Sequence, residues 1–212
     1  MAVIHQTTIV PSKDELLTAW LPTRAWYQGA GQPVVRRVGG FRLDDPEGEV
    51  GIEFIVVQDT SGEQPVTYQV PFAYRGAALA GAEEALVGTA MHGVLGKRWF
   101  YDGTRDPVVV AQILALLAGK VQPQAQHDSG AVDQSVAVAA DEIVGGAAES
   151  ASATDGPTST DITVGDRLVR VERILRAGSA PARTGHVTAP WRLPDGGTAR
   201  GVFLTIGEIS AG

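Results

Sequence analysis

The stretch Val66-Thr-Tyr-Gln-Val-Pro-Phe-Ala-Tyr74 places a large apolar side chain at every second position. This period of two predicts a β-strand with one buried face. A second strand is predicted over residues 49–58, and the turn-rich link Asp59-Thr-Ser-Gly-Glu-Gln-Pro65 joins the two into an antiparallel hairpin. Because Pro71 has no backbone N–H, we expect it at a sheet edge or at a bulge.

Helix signals lie on both sides of this hairpin. Ser12 and Glu15 form a Ser-x-x-Glu capping box before a leucine-rich segment. The pair Asp106-Pro107 is typical of the start of a helix, and Gly119 of its end. Further short strands are predicted at residues 85–90 and 97–102. We therefore expect an α+β fold, in which a curved antiparallel sheet packs with helices.

Composition divides the chain into three parts. Residues 120–160 are rich in Ala, Gly, Ser, Gln and Asp and contain no aromatic residue, so they bury too little apolar surface to offset the entropy of ordering. We predict a domain at 1–119, a flexible linker at 120–160, and a small β extension at 161–212 that packs on the first domain. In this extension, residues 161–175 fit both a helix and a strand, and we favour the strand. The turn Pro194-Asp-Gly-Gly197 predicts a short C-terminal β-hairpin unit.

Bulk composition excludes several classes of function. The 212 residues carry a formal net charge of -7, which argues against general binding to nucleic acid. The absence of cysteine rules out disulfides and Cys-ligated metals. Four widely separated histidines predict no metal site, and no cofactor is expected; they are His5, His92, His127 and His186. The sequence shows no signal-peptide pattern and no apolar run of roughly 18 residues, so we expect a cytoplasmic protein that does not enter a membrane.

No catalytic motif is complete in this sequence. A phosphate-binding loop is missing, and the chain contains no asparagine, so the catalytic loop of a protein kinase is excluded. An acidic cluster surrounds residue 45 and consists of Asp44, Asp45, Glu47 and Glu49. One hypothesis is that these carboxylates serve a small carbohydrate-active hydrolase or transferase. A solvated turn is the reading we favour, and we do not expect the chain to be an enzyme on its own.

Aromatic side chains and one arginine supply the candidate contacts to a sugar or a partner. Aromatic faces stack on sugar rings in the way that they stack on other apolar surfaces. The same residues also suit the core of the first domain, and this alternative is the stronger one. The candidates are Trp20, Arg24, Trp26, Tyr27, Trp99 and Tyr101.

Three segments together resemble one known family. Leu16-Leu-Thr-Ala-Trp-Leu-Pro-Thr-Arg-Ala-Trp-Tyr-Gln-Gly29 is similar to the opening of the N-terminal cap of actinobacterial maltokinases. Ala85-Leu-Val-Gly88 resembles a short strand of that cap, and Tyr101-Asp-Gly-Thr-Arg-Asp-Pro-Val108 resembles the start of its closing helix. The resemblance spans roughly residues 1–119. It implies a cystatin-like curved sheet on helices, seated on a kinase that makes maltose 1-phosphate in the trehalose and glycogen route.

The resemblance stops before the catalytic part of those kinases. After Gly119 they continue into kinase lobes, whereas this chain continues into the predicted linker, so no catalytic residue is transferred. We therefore expect a stand-alone cap-like protein, an accessory or regulatory module of α-glucan, maltose 1-phosphate and trehalose metabolism. It would dock to an α-glucan or to a partner enzyme, such as a kinase, a maltosyltransferase or a branching enzyme.

Overall fold

The protein is described by a computed structural model that covers residues 8–29, 31–126, 130–140, 147–179 and 185–209. These residues form one antiparallel sheet of twelve strands with two α-helices. The strands are β1 (Ile9–Val10), β2 (Val35–Leu43), β3 (Gly51–Asp59), β4 (Val66–Arg75), β5 (Leu86–His92), β6 (Gly96–Asp102), β7 (Ala137–Ala139), β8 (Ser152–Asp155), β9 (Ser159–Val164), β10 (Arg167–Glu172), β11 (Gly185–Arg192) and β12 (Thr198–Glu208). The helices are α1 (Lys13–Trp20) and α2 (Pro107–Leu117).

The predicted α+β class, a cystatin-like curved sheet packed with helices plus a separate hairpin unit, is wrong. The fold is β-rich, because helices of 8 and 11 residues are too short to form a layer over a sheet of this width. The C-terminal hairpin is part of the same sheet, since β11 pairs with β2 through Trp191 and Gly39. The two helices give strong local signals in the sequence, whereas this long-range pairing gives none.

Six of the strands form a closed ring of pairings. Along the sheet, β4, β3, β2, β11, β12 and β10 are consecutive neighbours. Residues 173–175, which follow β10, return to β4: the Gln69 N–H donates to the Arg173 carbonyl at 2.9 Å, and the Leu175 N–H donates to the Thr67 carbonyl at 2.8 Å. A closed sheet removes exposed strand edges. The ring therefore contains strands from both the N-terminal and the C-terminal parts of the chain.

Aromatic side chains fill the core where these two parts meet. The rings of Phe41 and Phe54 stack with centroids 4.5 Å apart, and Phe203 lies 6.0 Å from Phe41 and 6.3 Å from Trp191. A second core lies on the other face of β3 and β4, where α1 packs through Leu17 and other apolar residues. The sheet is thus buried on both faces over its central strands.

Several local predictions are confirmed. Ser12 and Glu15 form the capping box of α1, and the Asp106 carboxylate accepts hydrogen bonds from the first turn of α2. The predicted hairpin is present as β3 and β4. The expectation that Pro71 lies at a sheet edge or at a bulge is wrong, because β4 lies between β3 and β6 and its pairing with β3 is regular at Pro71. Pro71 is tolerated because it lies between the stretch of β4 that pairs with residues 173–175 and the stretch that pairs with β6, where no donor is required. Within residues 161–175 the chain forms the end of β9 and the whole of β10, joined by a turn at residues 165–166, as the favoured strand alternative predicted.

The division of the chain into a domain, a linker and an extension stays a prediction. Within the span 120–160, the structure describes the strands β7 and β8, which pair with β11 and β9. No helix among the described residues is long and apolar enough to cross a membrane.

Candidate functional site

The strands β1, β5 and β6 are covered by α1 on one face, and part of their other face is exposed. Ala90 and Phe100 point to the covered face and are buried beneath α1. Val10, Met91 and Lys97 point the opposite way and lie side by side, because Val10 pairs with Met91 and Met91 pairs with Lys97. The side chains of Val10 and Met91 are 65% and 57% exposed. This part of the sheet therefore presents apolar side chains to solvent.

The exposed surface continues into the turn between β5 and β6 and along β6. Val94 and Leu95 in the turn are 63% and 42% exposed. Trp99 lies two residues beyond Lys97 on the same face, and the Lys97 ammonium sits 4.9 Å from the centre of the Trp99 ring. We call these six residues the open face: Val10, Met91, Val94, Leu95, Lys97 and Trp99. Contiguous exposed apolar surface of this kind marks interaction sites.

The predicted contact residues fall into two separate places. Trp99 belongs to the open face, and Tyr101 follows it but is buried, with its hydroxyl accepting the Leu79 N–H at 2.9 Å. Trp20 and Trp26 lie in the core on the α1 side, 5.7 Å apart and almost fully buried. Stacking of a sugar on these indoles would require the core to open.

Arg24 and Tyr27 border the buried tryptophans and are partly exposed. The Arg24 guanidinium lies 4.8 Å from the ring centre of Trp20 and covers it. The Tyr27 hydroxyl donates to Asp59 at 2.9 Å, and burial together with this hydrogen bond to a carboxylate raises the pKa of Tyr27. Its ring stacks on Tyr68. Both side chains hold the segment after α1 in place, and their role as sugar or partner contacts stays a prediction.

The acidic cluster around residue 45 is built as a turn. The Asp45 carboxylate is buried and accepts three backbone N–H groups, from Glu47 at 3.1 Å, from Glu49 at 3.0 Å and from Val50 at 2.9 Å. Glu47 and Glu49 are exposed, and Asp44 is partly exposed. A carboxylate occupied by backbone donors holds a loop shape and is poorly placed to transfer protons.

The described residues contain no group of three or more His, Asp or Glu side chains that could hold a metal ion. His5 and His127 lie outside the described residues. A buried carboxylate, Glu53, pairs with Lys13 and lies 3.8 Å from Arg37. Burial alone would raise the pKa of Glu53, but the attraction of these cations and of Arg42 outweighs it and lowers that pKa. Glu53 therefore remains charged and anchors α1 to the sheet.

Comparison with known families identifies part of the chain. Residues 20–106 match the family model of the maltokinase N-terminal cap domain. We call this segment the cap-like domain, because it is similar to that family. It runs from the last residue of α1 to the N-cap of α2 and includes β2 to β6, so it supplies all of the open face except Val10. No curated protein matches the chain.

The motif residues of the cap-like domain have structural roles here. At Gly88, a Cβ atom would lie 2.7 Å from the Leu16 side chain, so this glycine lets α1 approach β5 closely. Asp106 caps α2 and binds Arg75 through two hydrogen bonds of 2.6 and 2.7 Å. Asp102 is buried and pairs at 2.5 Å with the equally buried Arg173 from beyond β10. The cap-like domain is thereby tied by an ion pair to the C-terminal strands.

Sequence reasoning missed most of the open face. Of its six residues, only Trp99 was among the candidates. The signal that could have found the others is the turn Gly93-Val-Leu-Gly96, because turns between strands are usually polar and this one carries two adjacent apolar residues. Reading the pairing of Lys97 with Met91 also required knowing the register of β5 and β6.

Proposed function

We propose that the chain is a non-catalytic accessory or regulatory module of maltose- and trehalose-related metabolism, acting in the cytoplasm by docking to a partner enzyme through the open face. The match of residues 20–106 to a maltokinase cap domain supports the link to carbohydrate metabolism. The single observation that supports docking is the exposed row of Val10, Met91 and Lys97 across three strands.

The open face favours a protein partner over a free sugar. Its centre is aliphatic, and aliphatic side chains in contact with solvent gain free energy when a second apolar surface covers them. A sugar presents hydroxyls that would find few polar partners among Val10, Met91, Val94 and Leu95.

The charge on this surface specifies the chemistry of the partner. Lys97 is exposed and forms no ion pair with another described residue, while its ammonium rests on Trp99. A matching surface would be apolar and would carry a carboxylate opposite Lys97. Such a complementary charge fixes orientation and raises the association rate more than it raises affinity.

The test uses capture of a partner with two matched variants. Met91→Lys places a charge in the centre of the open face. Val34→Lys places the same charge at a side chain that is 60% exposed, against 57% for Met91, but lies before β2 and away from the open face. Both variants should keep the melting temperature of the unmodified chain, because surface substitutions usually change stability by about 0.5 kcal/mol or less.

Tagged protein is mixed with an actinobacterial lysate, and retained proteins are identified by mass spectrometry. We expect a maltose- or trehalose-metabolising enzyme to be retained by the unmodified chain and by Val34→Lys, and to be lost with Met91→Lys. Retention of no such enzyme, or equal retention by Met91→Lys, contradicts the proposal.

A further inference from the structure

A cleft of about 350 Å³ opens on the outer side of the C-terminal strands, where the chain leaves β10. Its volume lies at the lower end of the range of small-molecule sites, which is about 300 to 1,000 Å³. Ile174 and Val202 give it an apolar floor, and the polar side chains around them are Thr158, Glu172, Arg176 and Ser179. The cleft lies outside the segment that matches the cap family.

Glu172 is the acidic side chain in this cleft. It is partly buried, and its carboxylate accepts no hydrogen bond from another described residue. The neighbouring Arg170 is already engaged, because it donates two hydrogen bonds of 2.7 and 2.8 Å to Asp161. Burial raises the pKa of Glu172, and repulsion by Asp161 adds to this while Arg170 and Arg176 oppose it. A partly buried carboxylate that accepts no hydrogen bond from the protein is a candidate for ligand binding.

The remaining groups of the cleft determine what kind of ligand fits. Arg176 is exposed and supplies hydrogen-bond donors only, whereas the Glu172 carboxylate supplies acceptors only. Their charges cancel, so a strongly anionic ligand would meet Glu172 and a strongly cationic one would meet Arg176. A hydroxyl group both donates and accepts, so neighbouring hydroxyls on one ring can satisfy both side chains at once.

We propose that this cleft binds a neutral carbohydrate, with its hydroxyls between Glu172 and Arg176 and one face of its ring on Ile174 and Val202. This inference does not depend on the docking of a partner enzyme, since none of the residues that line the cleft belongs to the open face. The two proposals can therefore fail independently.

The test is a titration with maltose and trehalose, followed by NMR of the methyl groups of Ile174 and Val202. We expect at least one of these sugars to shift both methyl signals in a saturable way, while glucosamine and glucuronate, which carry a charge, bind more weakly. Glu172→Gln should weaken binding about tenfold, which corresponds to about 1.4 kcal/mol and to the loss of one charge-assisted hydrogen bond.

Glu208→Gln is the matched control, since Glu208 is an exposed acid at the end of β12 and does not line this cleft. It should leave sugar binding unchanged. Arg176→Gln, at an exposed position, provides a second variant in case Glu172→Gln alters the fold. The proposal is overturned if neither sugar shifts the two methyl signals, if a charged sugar binds more tightly, or if the variants at Glu172 and Arg176 bind like Glu208→Gln.

Discussion

Phe203→Ala tests whether the C-terminal strands are part of the structure that stabilises the cap-like domain. The Phe203 ring is fully buried and lies 6.0 Å from Phe41, which belongs to β2. Truncating a buried phenylalanine to alanine costs about 3 to 5 kcal/mol, because transfer free energy is lost and a cavity remains. For a chain of this size, about 2 to 4 °C of melting temperature is lost per kcal/mol, so we expect a decrease of about 6 to 20 °C.

The assay is differential scanning calorimetry combined with amide hydrogen exchange in β3, which lies on the far side of β2 from Phe203. If the closed ring of strands unfolds as one unit, the transition stays single and β3 loses protection together with β11 and β12. Val34→Ala, at a 60% exposed side chain, serves as the control and should change stability little. Loss of protection confined to β11 and β12, with β3 unchanged, would refute this reasoning.

Three further predictions concern two buried charges and the turn that Asp45 holds. Arg173→Met leaves the buried carboxylate of Asp102 without its partner and should lower the free energy of unfolding in urea by about 3 to 5 kcal/mol; an unchanged value would mean that the pair is dispensable. The pKa of Glu53 is lowered in the folded state, so the stability that the charged Glu53 contributes is complete above its ordinary pKa of 4.5 and is lost as the pH falls through the lower folded pKa. Glu53→Gln should therefore flatten the dependence of the unfolding free energy on pH in that acidic range. A dependence parallel to that of the unmodified chain would contradict the sign of this shift. Asp45→Ala removes the acceptor of three backbone N–H groups and should cost about 1 to 3 kcal/mol in thermal unfolding, whereas a neutral effect would show that the turn holds without it.

Local elements could be predicted from the sequence because their causes are local. The capping box at Ser12 and Glu15 and the Asp106-Pro107 start of α2 each lie within one helical turn of the groups that they satisfy. The hairpin of β3 and β4 is joined by a short link. The alternation along β4 predicted one buried face, but β4 is buried on both faces. Because the helix signals are strong and local, they led to the prediction of an α+β fold packed with helices, which is wrong.

The closure of the sheet could not be predicted in the same way. The pairing of residues 173–175 with β4 joins segments about a hundred positions apart, and nothing near Ile174 in the sequence specifies Tyr68 as its partner. The burial of Arg173 could not be predicted either, because Arg173 is buried where it pairs with Asp102, which is distant in the sequence. Trp99 and Tyr101 alternate onto the same face of β6, and the sequence could not predict that Tyr101 is buried where Leu79 covers it, whereas Trp99 stays partly exposed.

The central claim is that the open face docks to an enzyme of maltose- or trehalose-related metabolism. Its most direct test is amide hydrogen exchange of the chain, alone and mixed with a purified kinase, maltosyltransferase or branching enzyme of that metabolism. We predict that one of these enzymes slows exchange in residues 86–99, while exchange in β8, β9 and β10 stays unchanged. Unchanged exchange in residues 86–99 with all three enzymes, or protection confined to another surface, would contradict the claim.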